Sequence, residues 1–130
     1  MLSNFLGHGR FGSGGVEAAG DQPVRRRGGS SRVGPMISVL TFRLTGGADE
    51  RQFLLADRRM QEDFAYQQSG LQRRTTARGR EGEWLVLELW ASQAAADDAD
   101  AQLGSDPVAQ EFMAFVDPTT MRRESYSEVS

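Results

Sequence analysis

The chain of 130 residues contains no cysteine and no lysine, and its one histidine, His8, lies near the start. The lack of cysteine excludes disulfides, thiolate zinc sites and cysteine nucleophiles, and the lack of lysine excludes Schiff-base chemistry. No stretch approaches the roughly 18 consecutive apolar residues of a membrane-spanning helix, and the opening MLSNFLG is too short for the apolar part of a signal peptide. We therefore expect a cytoplasmic protein with no membrane partner.

Glycine and charge divide the chain into two parts. Nine of the fifteen glycines fall in residues 1–35, where five arginines and two acidic residues give a net charge of +3. Residues 36–130 hold ten arginines and sixteen acidic residues, a net charge of −6, and almost all the large apolar residues. We expect a tail followed by one domain. The acidic domain lacks the positive surface that nucleic-acid binding needs, so only the tail could bind nucleic acid.

The tail contains a literal G-x-G-x-x-G, formed by Gly7, Gly9 and Gly12. A dinucleotide-binding turn needs a strand before these glycines and an amphipathic helix after them, and the flanking sequence predicts neither. Together with the RRR triplet among Gly, Ser and Pro, this composition is typical of a disordered Gly/Arg-rich extension. Two alternatives are a weak RNA-binding arm and a start of translation at Met36, where strong patterning begins.

Periodicity predicts the order β-α-β-β-α-β for the domain. Alternating residues predict four strands, over 36–44, 71–78, 83–90 and 119–129. Helical spacing predicts one helix from the cap Asp49 to near Gln68, and a second helical segment from the cap Ser92, interrupted at Gly104 and restarting at Pro107. Right-handed crossovers fold this order into a ferredoxin-like α+β domain, a four-stranded antiparallel sheet with both helices on one face.

The stretch GREG, residues 79–82, is interpreted as a hairpin turn of even length between the two middle strands. That register pairs Arg73 with Glu88 and Leu71 with Trp90, and it places Trp84 on the same helix-free face as these four. The face predicted to lie beneath the helices carries Leu85, Leu87 and Leu89, with Leu40, Phe42 and Leu44 of the first strand.

The first strand adds Ile37, Val39, Thr41 and Arg43 to the helix-free face. An apolar patch of this size, with two tryptophans, is unusual on a monomer. Burial at about 25 cal/mol per Å² favours covering it, and two sheets packed face to face about a twofold axis would do so. We therefore expect a homodimer with a pocket between its two sheets.

Residues 36–128 resemble the dimeric α+β barrel superfamily, in particular the antibiotic biosynthesis monooxygenase-like group. The resemblance is carried by VLTFRL, GLQRRTTARGREGEWLVLELWAS and FMAFVDP. It implies a dimeric α+β barrel. In relatives that oxidise aromatic polyketide-like compounds without a cofactor, the substrate's own enolate donates an electron to oxygen, so no cofactor is expected. Residues 36–130 contain no histidine and no asparagine, which argues against haem-linked activities.

On this resemblance Glu88 is the candidate base, Arg73 and Arg43 clamp an anion, and Trp84 and Trp90 form flat walls for a small cyclic or aromatic ligand. Thr41 completes the candidate substrate-binding set. Alternatively, Arg73 and Glu88 form only a cross-strand ion pair and the tryptophans only pack. The run DDAD is interpreted as a solvated helix face and not as a metal site. The functional alternative is a non-catalytic dimeric ligand-binding or accessory protein.

Overall fold

The computed structural model describes residues 34–130. The literal G-x-G-x-x-G and the arginine triplet lie outside the described residues, so every interpretation of the tail stays a prediction.

Four strands and three α-helices build the domain in the predicted order. The strands are β1 Met36–Arg43, β2 Leu71–Arg78, β3 Glu83–Trp90 and β4 Arg122–Ser127. The helices are α1 Glu50–Asp63, α2 Gln93–Leu103 and α3 Pro107–Met113, with 3-10 turns at Ala65–Gln67 and Pro118–Thr120. All strand pairs are antiparallel, in the order β2-β3-β1-β4. The predicted ferredoxin-like α+β fold is confirmed, with the second helical segment split into α2 and α3.

Side-chain caps set where the helices begin. The predicted cap Asp49 accepts the backbone N–H of Arg51 at the start of α1, and the predicted cap Ser92 accepts that of Ala95 in α2. Asp106 accepts two N–H groups at the start of α3. Helix α1 ends earlier than predicted, because the backbone of Phe64 (φ −124°, ψ −61°) leaves the helical region and the chain continues as a 3-10 turn.

The core lies between the sheet and the helices. Phe53 of α1 is fully buried, and its ring lies 4.9 Å from Trp84 and 5.9 Å from Phe42, in edge-to-face geometry. Phe112 of α3 is 5.5 Å from Phe53. Tryptophan therefore lies beneath the helices, on the face opposite to the predicted one.

The predicted register of the β2–β3 hairpin is wrong by one residue. The N–H of Gly79 donates to the carbonyl oxygen of Glu83 at 2.7 Å, which closes a loop of three residues instead of the predicted even number. Gly82 supplies the positive φ of +89° that such a loop needs. Arg74, not Arg73, therefore pairs with Glu88. The pairing of Leu71 with Trp90 is confirmed, because an irregularity between Leu71 and Arg73 shifts the register back.

Pairing between β1 and β3 explains why the faces of β3 are inverted relative to the prediction. Phe42 pairs with Trp84, and Met36 pairs with Trp90. Directly opposed residues share a face of the sheet, and Phe42 was correctly predicted to lie beneath the helices. The even-numbered residues of β3 consequently lie under the helices. The helix-free face instead carries aliphatic side chains, Ile37, Val39, Leu85, Leu87 and Leu89, each half-buried.

Candidate functional site

A cavity of about 60 Å³ lies within the chain, between the sheet and the helices. Its sheet side includes Arg74, Glu88 and Trp90, and its helix side is mostly apolar, with Met60 of α1 and Met113 of α3. The predicted pocket lay on the other face of the sheet, so the correction of the hairpin register moves the candidate site from between two chains into a single chain.

Glu88 is the carboxylic acid that β3 presents to this cavity. Its Oε1 accepts the indole N–H of Trp90 at 3.3 Å, and its Oε2 lies 3.4 Å from Nε of Arg74. Burial raises the pKa of Glu88 above its ordinary value of 4.5, and the nearby Asp100 raises it further. Arg74, Arg123 and the Trp90 hydrogen bond oppose this increase in pKa, but burial is the larger effect.

Arg74 is the most deeply buried charge of the site, with only 1% of its side chain exposed. Its Nη2 lies 2.9 Å from Oδ1 of Asp57, which in turn accepts the hydroxyl of Thr76 at 3.0 Å. Its guanidinium carbon lies 5.5 Å from the centre of the Phe112 ring. Within residues 34–130, Nε of Arg74 is the buried side-chain polar atom that has no hydrogen-bond partner.

A second ion pair lies on the opposite side of the cavity. Arg123 of β4 donates to both carboxylate oxygens of Asp100 of α2, each at 2.6 Å. Ser38 of β1 lies between Glu88 of β3 and Ser125 of β4, because it opposes both residues in the sheet. A polar row therefore crosses all four strands on the sheet face beneath the helices.

The structure brings two of the six predicted site residues to the cavity, Glu88 and Trp90. Trp84 packs in the core beside Phe53. Arg73 is exposed, and its Nε donates to Thr75 at 3.4 Å, so its predicted pairing with Glu88 is wrong.

Arg43 and Thr41 lie on the helix-free face as predicted, away from the cavity. Arg43 is exposed and donates to the carbonyl oxygen of Glu81 at 2.7 Å. Thr41 opposes Leu85 and is half-buried. The predicted ligand-binding roles of these two residues stay predictions, now separated from Glu88 by the sheet.

Sequence reasoning missed Arg74 and Asp57. Arg74 follows directly after Arg73, so an error of one residue in the register exchanges the two arginines. Asp57 is charged, so the helical pattern alone predicts that it faces solvent. It follows Phe53 by four residues and precedes Met60 by three, however, so it shares their side of α1, and it is 9% exposed. The sequence does contain one indication of this contact. Asp57 and Gln61 are spaced i, i+4, so they share a helix face and can bind one arginine side chain together.

Within residues 34–130, no cluster of three or more His, Cys, Asp or Glu side chains could hold a metal ion. The same part of the chain has no helix that is long and apolar enough to cross a membrane.

Comparison with solved structures identifies the fold. SnoaB from Streptomyces nogalater, a cofactor-independent oxygenase, is 21% identical, with a TM-score of 0.62 over 75% of this chain and 95% of that chain. The chain has the ferredoxin-like fold. A candidate antibiotic biosynthesis monooxygenase from Caulobacter crescentus is 20% identical, with a TM-score of 0.61 over 82% of this chain and 100% of that chain.

A dimeric ferredoxin-like protein from an uncultured marine organism shares the same fold. It is 14% identical, with a TM-score of 0.54 over 77% of this chain and 92% of that chain. No protein-family profile and no curated protein sequence matches the chain. At these identities the likeness establishes the ferredoxin-like fold, which the order of strands and helices in the sequence predicted.

Proposed function

We propose that the cavity binds a small cyclic or aromatic compound and that the protein is a cofactor-independent, monooxygenase-like enzyme with Glu88 as its base. The observation that carries the proposal is a half-buried carboxyl group in an apolar cavity, beside an indole and a buried arginine. The raised pKa of Glu88 makes it a stronger base than an ordinary glutamate, as proton removal from the ligand requires. The ferredoxin-like fold shared with an oxygenase supports the same proposal.

The reaction we propose converts a CH₂ group next to a carbonyl or aromatic ring into a second carbonyl. Glu88 removes one proton, and the resulting enolate gives an electron to dioxygen. Recombination forms a peroxide on that carbon, and loss of water leaves the new C=O bond. One oxygen atom of O₂ enters the product, and the other leaves as water with the two hydrogens of the CH₂ group.

Two flexible side chains allow the small cavity to accept a ring. Sites for drug-sized ligands measure about 300–1,000 Å³, well above the volume found here. Met60 of α1 and Met113 of α3 both line the cavity, and methionine adapts its shape more readily than branched side chains. We therefore expect ligand binding to displace these two side chains.

The test uses Trp90 as the reporter of binding and dissolved oxygen as the reporter of turnover. A Trp84→Phe variant leaves Trp90 as the one tryptophan, because the chain contains two. Titration with anthrone under nitrogen should quench Trp90 fluorescence, and admitting air should start oxygen uptake. Glu88→Gln should still show quenching but should slow uptake about 100-fold or more, the contribution expected of a general base.

The matched control is Glu62→Gln, which changes an exposed glutamate of α1 in the same way. It should leave both quenching and uptake unchanged. Uptake that persists in the Glu88→Gln variant would contradict the assignment of the base.

A non-catalytic ligand-binding protein is the second candidate function. The absence of histidine and asparagine from residues 36–130 favours it, since these side chains commonly orient substrate or peroxide in oxygenase sites. It predicts quenching of Trp90 by anthrone or 1,4-naphthoquinone with no oxygen uptake in the unsubstituted protein.

We also propose that the protein works as a homodimer. The aliphatic side chains of the helix-free face form a surface that water solvates poorly. A second copy of the same face, related by a twofold axis, would cover it. A protein with the same fold is described as dimeric, which supports the proposal.

A further inference from the structure

Asp57 departs from the pattern of its own helix. It follows Ala56 on the buried side of α1 and is itself buried, although the surrounding charged residues of α1 face solvent. Burying a carboxylate is unfavourable unless it is paired and hydrogen-bonded. Asp57 satisfies this condition with one oxygen atom, which contacts both Nη2 of Arg74 and the hydroxyl of Thr76.

The nitrogens of Arg74 are divided between two sides. Nη2 contacts Asp57 at 2.9 Å, and Nη1 donates to Oε1 of Gln61 at 3.3 Å, so α1 binds the outer end of the guanidinium. The backbone N–H of Arg74 donates to the hydroxyl of Tyr66 at 2.9 Å, which holds the backbone from which this side chain extends. Only the Nε edge faces Glu88, at a distance of 3.4 Å and without a hydrogen bond.

We propose that Asp57 is a positioning residue: it keeps the two Nη groups of Arg74 turned away from Glu88, so that only Nε contacts this carboxylate, and it leaves the Nε–H without a hydrogen bond and available to an oxygen atom of the ligand. The proposal rests on the proposed function, because it takes Glu88 to be the base. When Glu88 removes a proton, negative charge develops on the carbonyl or phenol oxygen of the ligand, and a buried guanidinium N–H stabilises such charge.

The charges around Glu88 make this proposal testable in the protein without ligand. Arg74 faces Glu88 from β2, Arg123 from β4 and Asp100 from α2, while α3 contributes only the uncharged Phe112 and Met113. Helix α1 acts through Asp57, which balances the charge of Arg74. Because Arg123 is paired with Asp100, replacing Asp57 changes the balance only on the Arg74 side.

The experiment follows the Glu88 carboxyl carbon by NMR in protein labelled with ¹³C-glutamate, with the Glu88→Gln variant identifying its signal. In Asp57→Asn no carboxylate balances Arg74, so its whole charge acts on Glu88. The midpoint of the Glu88 titration should therefore fall by about one pH unit, which is a tenfold loss of proton affinity. In Arg74→Gln the cation is absent, so the midpoint should rise. A merely loosened site would move both midpoints down toward the ordinary value, because water would reach Glu88 in each variant.

Thr76→Val is the matched control, because it removes the hydroxyl that hydrogen-bonds both Asp57 and Nη1 of Arg74 and keeps the charges of both residues. Its midpoint should stay with that of the unsubstituted protein. An unchanged midpoint in Asp57→Asn, or a fall in Arg74→Gln, would overturn the proposal, and the second variant decides if the first does not fold. The titration needs neither ligand nor oxygen, so failure of anthrone binding or turnover would count against the proposed function and not against the coupling of Asp57 to Glu88.

Discussion

Glu88 shows how one residue makes the stability of the protein depend on pH. Burial raises its pKa, so between pH 4.5 and the raised pKa the folded chain holds a proton that the unfolded chain releases. This contribution to stability is fully present below pH 4.5 and is lost as pH rises through the raised pKa. The lost stability amounts to about 1.4 kcal/mol for each tenfold increase in proton affinity on folding.

We therefore expect Glu88→Gln, which resembles the protonated acid, to flatten the pH dependence and to be the more stable protein above the raised pKa. Urea unfolding between pH 4 and pH 9 measures this difference. Glu62→Gln should follow the unsubstituted protein throughout, because Glu62 is exposed. A parallel pH dependence for Glu88→Gln and the unsubstituted protein would show that Glu88 is ionised in the fold.

The β2–β3 hairpin depends on the conformation of one glycine. Gly82 has φ +89°, which a residue with a Cβ adopts only with strain, and an added Cβ would also lie 3.1 Å from Nη1 of Arg43. We expect Gly82→Ala to lower the free energy of unfolding by about 1–2 kcal/mol. Gly46→Ala is the control, since an added Cβ there meets open space, and thermal unfolding of both variants gives the comparison. Equal melting temperatures for the two variants would contradict the strain argument.

The same hairpin shows how far the sequence predicts this fold and where it stops. The strands, caps and chain order follow from local patterns, because each depends on residues within a few positions of one another. The face of β3 does not, because it carries apolar residues on both sides, with Trp84 and Leu85 as neighbours. Only the length of the turn and the pairing of Trp84 with Phe42 decide between the faces. The wrong register therefore affected the predicted site as well: Glu88 and Trp90 were predicted correctly, but Arg73 was predicted in place of Arg74.

At the scale of the whole domain, the described residues form a cavity on one side of the sheet and an aliphatic face on the other, so the proposed dimer and the proposed ligand binding can be tested separately. Leu87 lies on β3, one of the two central strands, and Leu87→Arg would place a charge within that face. We expect the unsubstituted protein to sediment as a dimer at micromolar concentration and Leu87→Arg to sediment at the chain mass of 14.3 kDa.

Leu54→Arg is the control for the sedimentation experiment, because Leu54 is a comparably apolar residue, 44% exposed, on the outer side of α1. It should remain dimeric. Since the cavity is built from one chain, Leu87→Arg should still bind anthrone with quenching of Trp90, whereas a pocket between two sheets would be lost with the dimer. If the unsubstituted protein sediments as a monomer, the proposal that a second copy covers the helix-free face is wrong. If Leu87→Arg loses anthrone binding as it dissociates, the partner chain completes the ligand site.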